Sequence, residues 1–298
     1  MNTSFFHNAL LARILEDSDY FNPEWIDSDH QILGLASGGL YTERVIVYGN
    51  PCSTTEEIDW FNFTIDKYSG NSVYLEIRNL SHDYLLRHKL QISDFIWQDW
   101  YNIVIDTLDR DHCWNKVSSS KKRQIERSID NGAEIIHDPS LEQLKEFYKI
   151  LKKLYRRKIG KPLPDWNFFK SFYHHTKNTN WGKFVLVEYD GKIISGMMCP
   201  ITPNQEMFEW YIAGLDHDFK GTGIYPSSIA TWGAIEYSSR NNIPKFNFMG
   251  AGHPGDDYGV RDFKLKFGGE LINVGRHIRI NKPLLYNIGK TYIKIRKH

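Results

Sequence analysis

The chain carries the string Arg261-Asp262-Phe263-Lys264-Leu265-Lys266 directly after a glycine-rich run, Met249–Gly259, in which His253, Asp256 and Asp257 are embedded. A lysine just past such a loop and near a helix start can present its ammonium to a cleft. An ammonium so placed can stabilise an oxyanion that develops in a transition state, provided a second group takes the proton that is shed. Lys264 is the candidate donor. Read without that chemistry, it is one cation in a solvated charged string, because lysine is mostly exposed. His253, Asp256 and Asp257 offer a proton acceptor or an amine anchor. Short polar residues in Gly/Pro loops serve equally as turn formers.

Three further groups stand out. Arg157 and Lys158 close a helical pattern and could hold phosphates or carboxylates, for which arginine offers a bidentate fork. Cations in a last helical turn also complement the helix dipole. The loop Asp218-Phe219-Lys220-Gly221-Thr222-Gly223 precedes a helix opening at Pro226. Lys220, Gly221 and Gly223 are spaced as a backbone cradle for a diphosphate at a helix N-terminus would be, although Asp218 puts an anion at its lead position. Trp210 and Tyr211 end a strand pattern where a cleft would open, and their aromatic surface suits stacking or a core. His174 and His175 have no partner at metal-ligand spacing. The three cysteines, Cys52, Cys113 and Cys199, are widely spaced and form no metal knuckle or disulfide framework.

The elements that must position these residues follow from periodicity. Residues 31–36, 44–48, 72–77 and 101–107 read as strands, and 54–67 as a helix capped by Thr54 or Thr55. Residues 114–131 read as one basic helix. Ser140 and Gln143 form a capping box, followed by Leu141, Leu144, Phe147, Tyr148, Leu151 and Leu154 at helical spacing. A helix over 166–177 comes next. Segments 183–189, 192–201 and 206–213 alternate as a meander, the first pair joined by the hairpin signal Asp190-Gly191. A helix over 226–240, a strand over 245–248, a short helix over 260–267, a strand over 270–280 and a basic tail helix complete the chain.

The 298 residues, 41% of them hydrophobic, suffice for one large core or two modest ones. No apolar run approaches the roughly 20 residues of a spanning helix, and the first residues show no secretory pattern. A reducing cytoplasm is the expected location. The net charge of +1 conceals a division. Residues 1–111 carry 7 Lys+Arg against 18 Asp+Glu, and residues 112–298 carry 30 against 18. The basic half suits an anionic partner, and equally a docking surface for the acidic half. The tail from Lys282 to His298 has no acid, and Leu284, Leu285, Ile288, Tyr292 and Ile295 alternate with its cations. Either a packed terminal helix or a peripheral contact with anionic lipid on the inner membrane face fits that pattern.

Trp210-Tyr211-Ile212-Ala213-Gly214, the 226–237 helix, Phe246-Asn247-Phe248-Met249-Gly250-Ala251, Gly259-Val260-Arg261-Asp262-Phe263-Lys264 and Phe267-Gly268-Gly269-Glu270 occur in order. This series resembles the Fem family of peptidoglycan interpeptide-bridge aminoacyltransferases, within the GNAT-like acyltransferases. The resemblance covers about residues 112–280. It implies an α/β (α+β) fold of tandem GNAT-like domains, with mixed central sheets flanked by helices, set here at residues 1–135 and 136–298. It implies amide formation on an amine of a muropeptide or related envelope precursor, with aminoacyl-tRNA as donor and no tightly bound cofactor or metal. It gives Lys264, with Phe263 beside it, the stabilisation of the intermediate, and it places acceptor recognition near Arg157 and Lys158. Two alternatives stand beside it. One is an acetyl-CoA-dependent N-acetyltransferase acting on an amino-sugar nucleotide, with Gly221 and Gly223 as the donor loop. The other is a non-catalytic module binding RNA or protein.

Overall fold

The computed structural model describes residues 4–27, 32–39, 41–49, 55–68, 70–80 and 94–295. In chain order the first elements are α1 (Ala9–Glu16), β1 (Phe21–Asp27), β2 (Ile32–Ser37), β3 (Arg44–Tyr48), α2 (Thr55–Lys67), β4 (Tyr74–Arg78), β5 (Ile96–Gln98) and β6 (Tyr101–Asp106). Then come α3 (Arg110–Lys116), α4 (Ser119–Asp130), β7 (Glu134–Ile136), α5 (Leu141–Leu154), α6 (Trp166–Thr176), β8 (Gly182–Tyr189) and β9 (Lys192–Thr202). The last are β10 (Glu206–Phe208), β11 (Tyr211–Gly214), α7 (Pro226–Arg240), β12 (Lys245–Gly250), α8 (Gly259–Leu265), β13 (Glu270–Asn273), β14 (Arg276–Ile280) and α9 (Pro283–Ile295). The chain divides into two compact units. One comprises Met1–Tyr101, Pro164–Ser171 and Asn273–His298, and the other Asn102–Leu163 and Phe172–Ile272.

The first unit holds a mixed sheet in the order β1-β2-β3-β4-β14-β5, in which β3 and β4 run parallel. Phe61 and Ile65, four residues apart on α2 and so on one face, close a core with Ile32, Ala36, Val45, Val47, Leu75 and Ile77. The second unit holds a sheet in the order β13-β6-β12-β10-β9-β8-β7, with β11 paired to β9 off that path. Asp190 and Gly191 take φ of 52° and 66° between β8 and β9, the left-handed pair that a tight hairpin needs. The capping box at Ser140 and Gln143 is formed on both sides. Pro226 opens α7. Gly196 is required by packing, since a Cβ there would meet Leu186 at 2.4 Å and Phe147 at 2.8 Å.

Several elements differ from their sequence expectation. The basic helix over 114–131 is two helices, because Val117 and Ser118 are extended (ψ 132° and 147°) and Asp109 caps an earlier start on the His112 N–H at 2.6 Å. The strand over 270–280 breaks at Gly275, whose φ is 65°. Its second half, β14, pairs with β4 from Arg276↔Arg78 to Ile280↔Tyr74. The boundary expected at 135/136 therefore lies inside the second unit, and the chain's last strand and helix belong with its first. Helix α1 and strands β1, β5 and β7 have no counterpart in the sequence reading. The cap expected at Thr54, and the tail beyond Ile295, lie outside the described residues.

Candidate active site

The strand expected over 206–213 is the origin of the site, because it is not one strand. β9 is long enough to hold two partners along one edge. It pairs with β10 at Met207↔Ile201 and with β11 from Tyr211↔Met198 to Gly214↔Ser195. β10 also runs parallel to β12 as far as Phe208↔Asn247, and the Glu209 N–H still reaches the Asn247 carbonyl at 2.9 Å. From Trp210, whose N–H donates to the Met198 carbonyl at 3.1 Å, the chain follows β9 and leaves β12. β12 continues to Gly250 with a bulge. Its register against β6 shifts between Asn247 and Gly250, Met249 takes a φ of 51°, and the Asn247 Oδ1 accepts from the Met249 N–H at 2.7 Å. A wedge opens between residues 209–214 and 248–250. Bulges beside active sites commonly re-aim groups in this way.

Strand carbonyls left at such a splay need donors. Lys264, in the last turn of α8, supplies them. Its Nζ donates to the Phe248 carbonyl at 2.8 Å and the Gly250 carbonyl at 3.0 Å. It also pairs with the Glu209 Oε1 at 2.8 Å. Both residues are buried, with 6% exposure each. An ammonium has three hydrogens, and all three are engaged. The other carboxylate oxygen, Glu209 Oε2, is buried and accepts no hydrogen bond. Burial raises the Glu209 carboxyl above the usual carboxylate range, and Lys264 opposes that rise. Burial and then the Glu209 charge push the Cys199 thiol well up, so Cys199 is no nucleophile.

A cavity of about 570 Å³ opens in the same unit, lined by Tyr148, Lys149, Lys152, Lys153, Tyr155, Arg156, Arg157, Lys161 and Leu163. Six of these nine side chains are cationic and none is acidic. The last turn of the α5 helix widens into a π-helical turn over Tyr155–Ile159, closed by Gly160 in the left-handed conformation (φ 65°). A widened turn of this kind is frequent at functional sites. Here it carries Tyr155, Arg156 and Arg157, all of which line the cavity. The Tyr155 ring lies 6.3 Å from that of Tyr211, which lies 5.6 Å from that of Trp210. A line of aromatic contact therefore connects the cationic cavity to the residue beside Glu209.

Other candidates fall elsewhere. Lys158 is exposed and is not part of the cavity lining. Phe263 packs on Phe267 at 5.3 Å, with the Lys121 ammonium 4.2 Å from its ring. His253 turns its Nδ1 to the Pro254 carbonyl at 2.5 Å, and Asp257 is exposed in the loop. That loop is clamped by Arg261, which donates to the carbonyls of Ala251, His253 and Asp256. Gly221 and Gly223 take φ of 86° and 85°. Turn geometry explains both glycines, and a Cβ on Gly223 would also meet the Arg127 Nε at 2.6 Å. Lys220 is exposed. Asp218 is held by Lys153 at 3.0 Å, which lowers its pKa. Among the described residues no group of His, Cys, Asp or Glu is placed to hold a metal ion. Glu209 and Tyr155 carried no sequence signal of their own, since each sits in an ordinary strand or helix pattern.

The helix–meander–helix order about the splayed strands is that of the GNAT acyltransferase fold. Residues 118–265, just under half of the chain, match the family described as Acetyltransferase (GNAT) domain. Among solved structures, FemX is similar over 95% of this chain and 94% of its own, with a TM-score of 0.69 and 12% identity. The C-terminal domain of a putative lysylphosphatidylglycerol synthetase from Agrobacterium fabrum is similar over 96% and 92%, with a TM-score of 0.65 and 10% identity. L-PGS from Bacillus licheniformis is similar over 92% and 88%, with a TM-score of 0.60 and 14% identity. No curated protein matches the chain in sequence. The Fem-like GNAT fold expected from the ordered motifs is thus the fold of this protein.

Proposed function

We propose that this acyltransferase is a Fem-type aminoacyltransferase. It moves an amino acid from aminoacyl-tRNA to an amine on an anionic cell-envelope precursor. The observation that carries the reading is the Lys264–Glu209 pair in the wedge, 2.8 Å apart and with one carboxylate oxygen unpartnered. The acceptor amine attacks the ester carbonyl carbon, forming the C–N bond. The proton it sheds passes to Glu209 Oε2 and then to the ribose oxygen as the ester C–O bond breaks. A neutral Glu209 holds Lys264 less strongly, which frees one ammonium hydrogen for the oxyanion. The cavity at Arg156 and Arg157 takes the acceptor's phosphates. The wider basic half takes the tRNA acceptor stem, mainly through phosphate contacts.

The terminal α9 helix suits peripheral contact with an anionic membrane. Leu284 and Ile288 are 75% and 58% exposed and lie one turn apart, and Lys282 and Lys290 flank them. Among the described residues no helix is long and apolar enough to cross a membrane.

The test is transfer of radiolabelled amino acids from a pool of charged tRNA to a muropeptide precursor bearing a free amine. Label on the acceptor with the wild type, and at least a hundredfold less with Glu209→Gln, supports the proposal. Acetylation of an amino-sugar nucleotide from acetyl-CoA, with no aminoacyl transfer, would replace it by the CoA-dependent reading. Salt-sensitive binding of tRNA with no transfer of either kind would favour a binding module.

A further inference from the structure

The N-terminus of α7 follows the glycine loop and is where a diphosphate-bearing donor would be cradled, because free N–H groups and the helix dipole favour anions there. In this chain those donors are already engaged. The Ser227 N–H donates to the Asp216 Oδ1 at 3.1 Å, and the Ser227 hydroxyl donates to the Asp216 Oδ2. The Tyr225 N–H donates to the Ser128 hydroxyl at 2.9 Å, and the Ile224 N–H to the Thr222 hydroxyl at 3.2 Å. Pro226 has no N–H to give. The Ser228 hydroxyl accepts from the Lys121 ammonium at 2.8 Å.

The neighbourhood is shaped around the carboxylate. A Cβ on Gly214 would meet the Ser227 Oγ at 2.5 Å and the Asp216 Oδ2 at 2.8 Å. A larger residue at the end of β11 would displace the Ser227 hydroxyl and the Asp216 carboxylate from the positions they hold across the helix terminus. The sequence pointed to Asp218 as the adverse anion of this loop. The structure turns Asp218 to Lys153 and puts Asp216 on the helix instead.

We propose that Asp216 is an internal occupant of the diphosphate position, and that it is the specificity-determining residue that bars CoA-type donors from this fold. A carboxylate placed there supplies the negative charge that the helix terminus favours. An incoming diphosphate would have to displace it and would face its charge. The inference deepens the donor half of the reading above and stands on residues that take no part in the proposed chemistry.

The test is isothermal titration of CoA and of inorganic pyrophosphate into the full chain at low salt. All proteins carry Arg156→Ala and Arg157→Ala, so that the cationic cavity does not contribute. Asp216→Ser, and Asp216→Asn as a second variant if the first fails to fold, should gain at least tenfold in affinity for both probes. Ser227→Ala added to either should reduce that gain. Micromolar CoA binding with Asp216 intact and competed by pyrophosphate, or no gain in either folded Asp216 variant, overturns the proposal. Charged-tRNA binding by the wild type is read separately, so failure of the donor reading is not confused with failure of this one.

Discussion

Replacing Lys264 by methionine isolates what the buried pair does. The substitution keeps much of the side chain's length and removes three contacts at once, to the Glu209 Oε1 and to the carbonyls of Phe248 and Gly250. Glu209 is then left buried with neither oxygen partnered. Removing one member of a buried pair costs about 3–5 kcal/mol, and each unpaired carbonyl adds about 1 kcal/mol or more unless water enters. At roughly 2–4 °C per kcal/mol for a domain of this size, the melting temperature should fall by roughly 10–25 °C. The size depends on pH. Burial already raises the Glu209 carboxyl, and without Lys264 it rises further. A carboxyl with a raised folded-state pKa costs nothing where both states are protonated, and its cost grows as pH climbs from the unfolded-state pKa towards the folded one and then levels off. The deficit of Lys264→Met should therefore be smaller near about pH 5 than near about pH 8. Adding Glu209→Gln removes the orphaned charge, so the double variant should recover about 1–3 kcal/mol and lose the pH dependence. The assay is urea unfolding followed by tryptophan fluorescence at both pH values. A deficit below about 1 kcal/mol, a deficit independent of pH, or strict additivity of the two substitutions would refute the reasoning.

Arg156→Ala with Arg157→Ala should weaken binding of inorganic pyrophosphate to the wild-type cavity at least tenfold by calorimetry, because charge-assisted forks to phosphate are lost. Leu284→Asp with Ile288→Asp should reduce co-sedimentation with vesicles containing anionic lipid and leave unfolding unchanged, since both side chains are exposed. Lys121, whose pKa burial lowers to about 8 from 10.5, should make the wild type gain stability as pH rises through that interval. The unfolded state binds the extra proton there, and Lys121→Met should abolish the slope in urea titrations. Ser140→Ala should cost about 1 kcal/mol of stability through loss of the capping box.

Local chemistry was legible in the sequence. Ser140 and Gln143, Asp190 and Gly191, and Pro226 each act on their own turn of chain, and each does in the fold what its type suggests. Lys264 stood out because its string follows a glycine loop, and Arg157 because it ends a helix among cations; the structure puts the first in the wedge and the second on the cavity lining. What stayed hidden depends on pairing at a distance. Glu209 occupies an unremarkable position in a strand pattern, and it joins the candidate site only because the chain changes partner from β12 to β9 just after that residue. The unit boundary was misplaced for the same reason, since the pairing of β14 with β4 spans about two hundred positions of sequence. The adverse anion of the glycine loop was placed two residues late, because motif spacing does not reveal which carboxylate a turn directs at a helix.

The same backbone logic constrains what Lys264 is able to do. A lysine committed to two carbonyls and a carboxylate has no hydrogen left for an oxyanion, and a strand splay without such a lysine has carbonyls left unpaired. The structural and the chemical demands therefore compete for one ammonium. The Glu209 contact is the one that chemistry can release. Carbonyl acceptors do not titrate, whereas a carboxylate already displaced upward by burial takes a proton readily. In the proposed reaction, proton acceptance and oxyanion stabilisation are one event on adjacent side chains, and Glu209→Gln, which already holds the neutral form, would stabilise an oxyanion but provide no sink for the amine's proton. The proposed reaction depends on the orphaned Oε2: a carboxylate with both oxygens satisfied would gain nothing from the proton and would leave Lys264 a purely structural clamp.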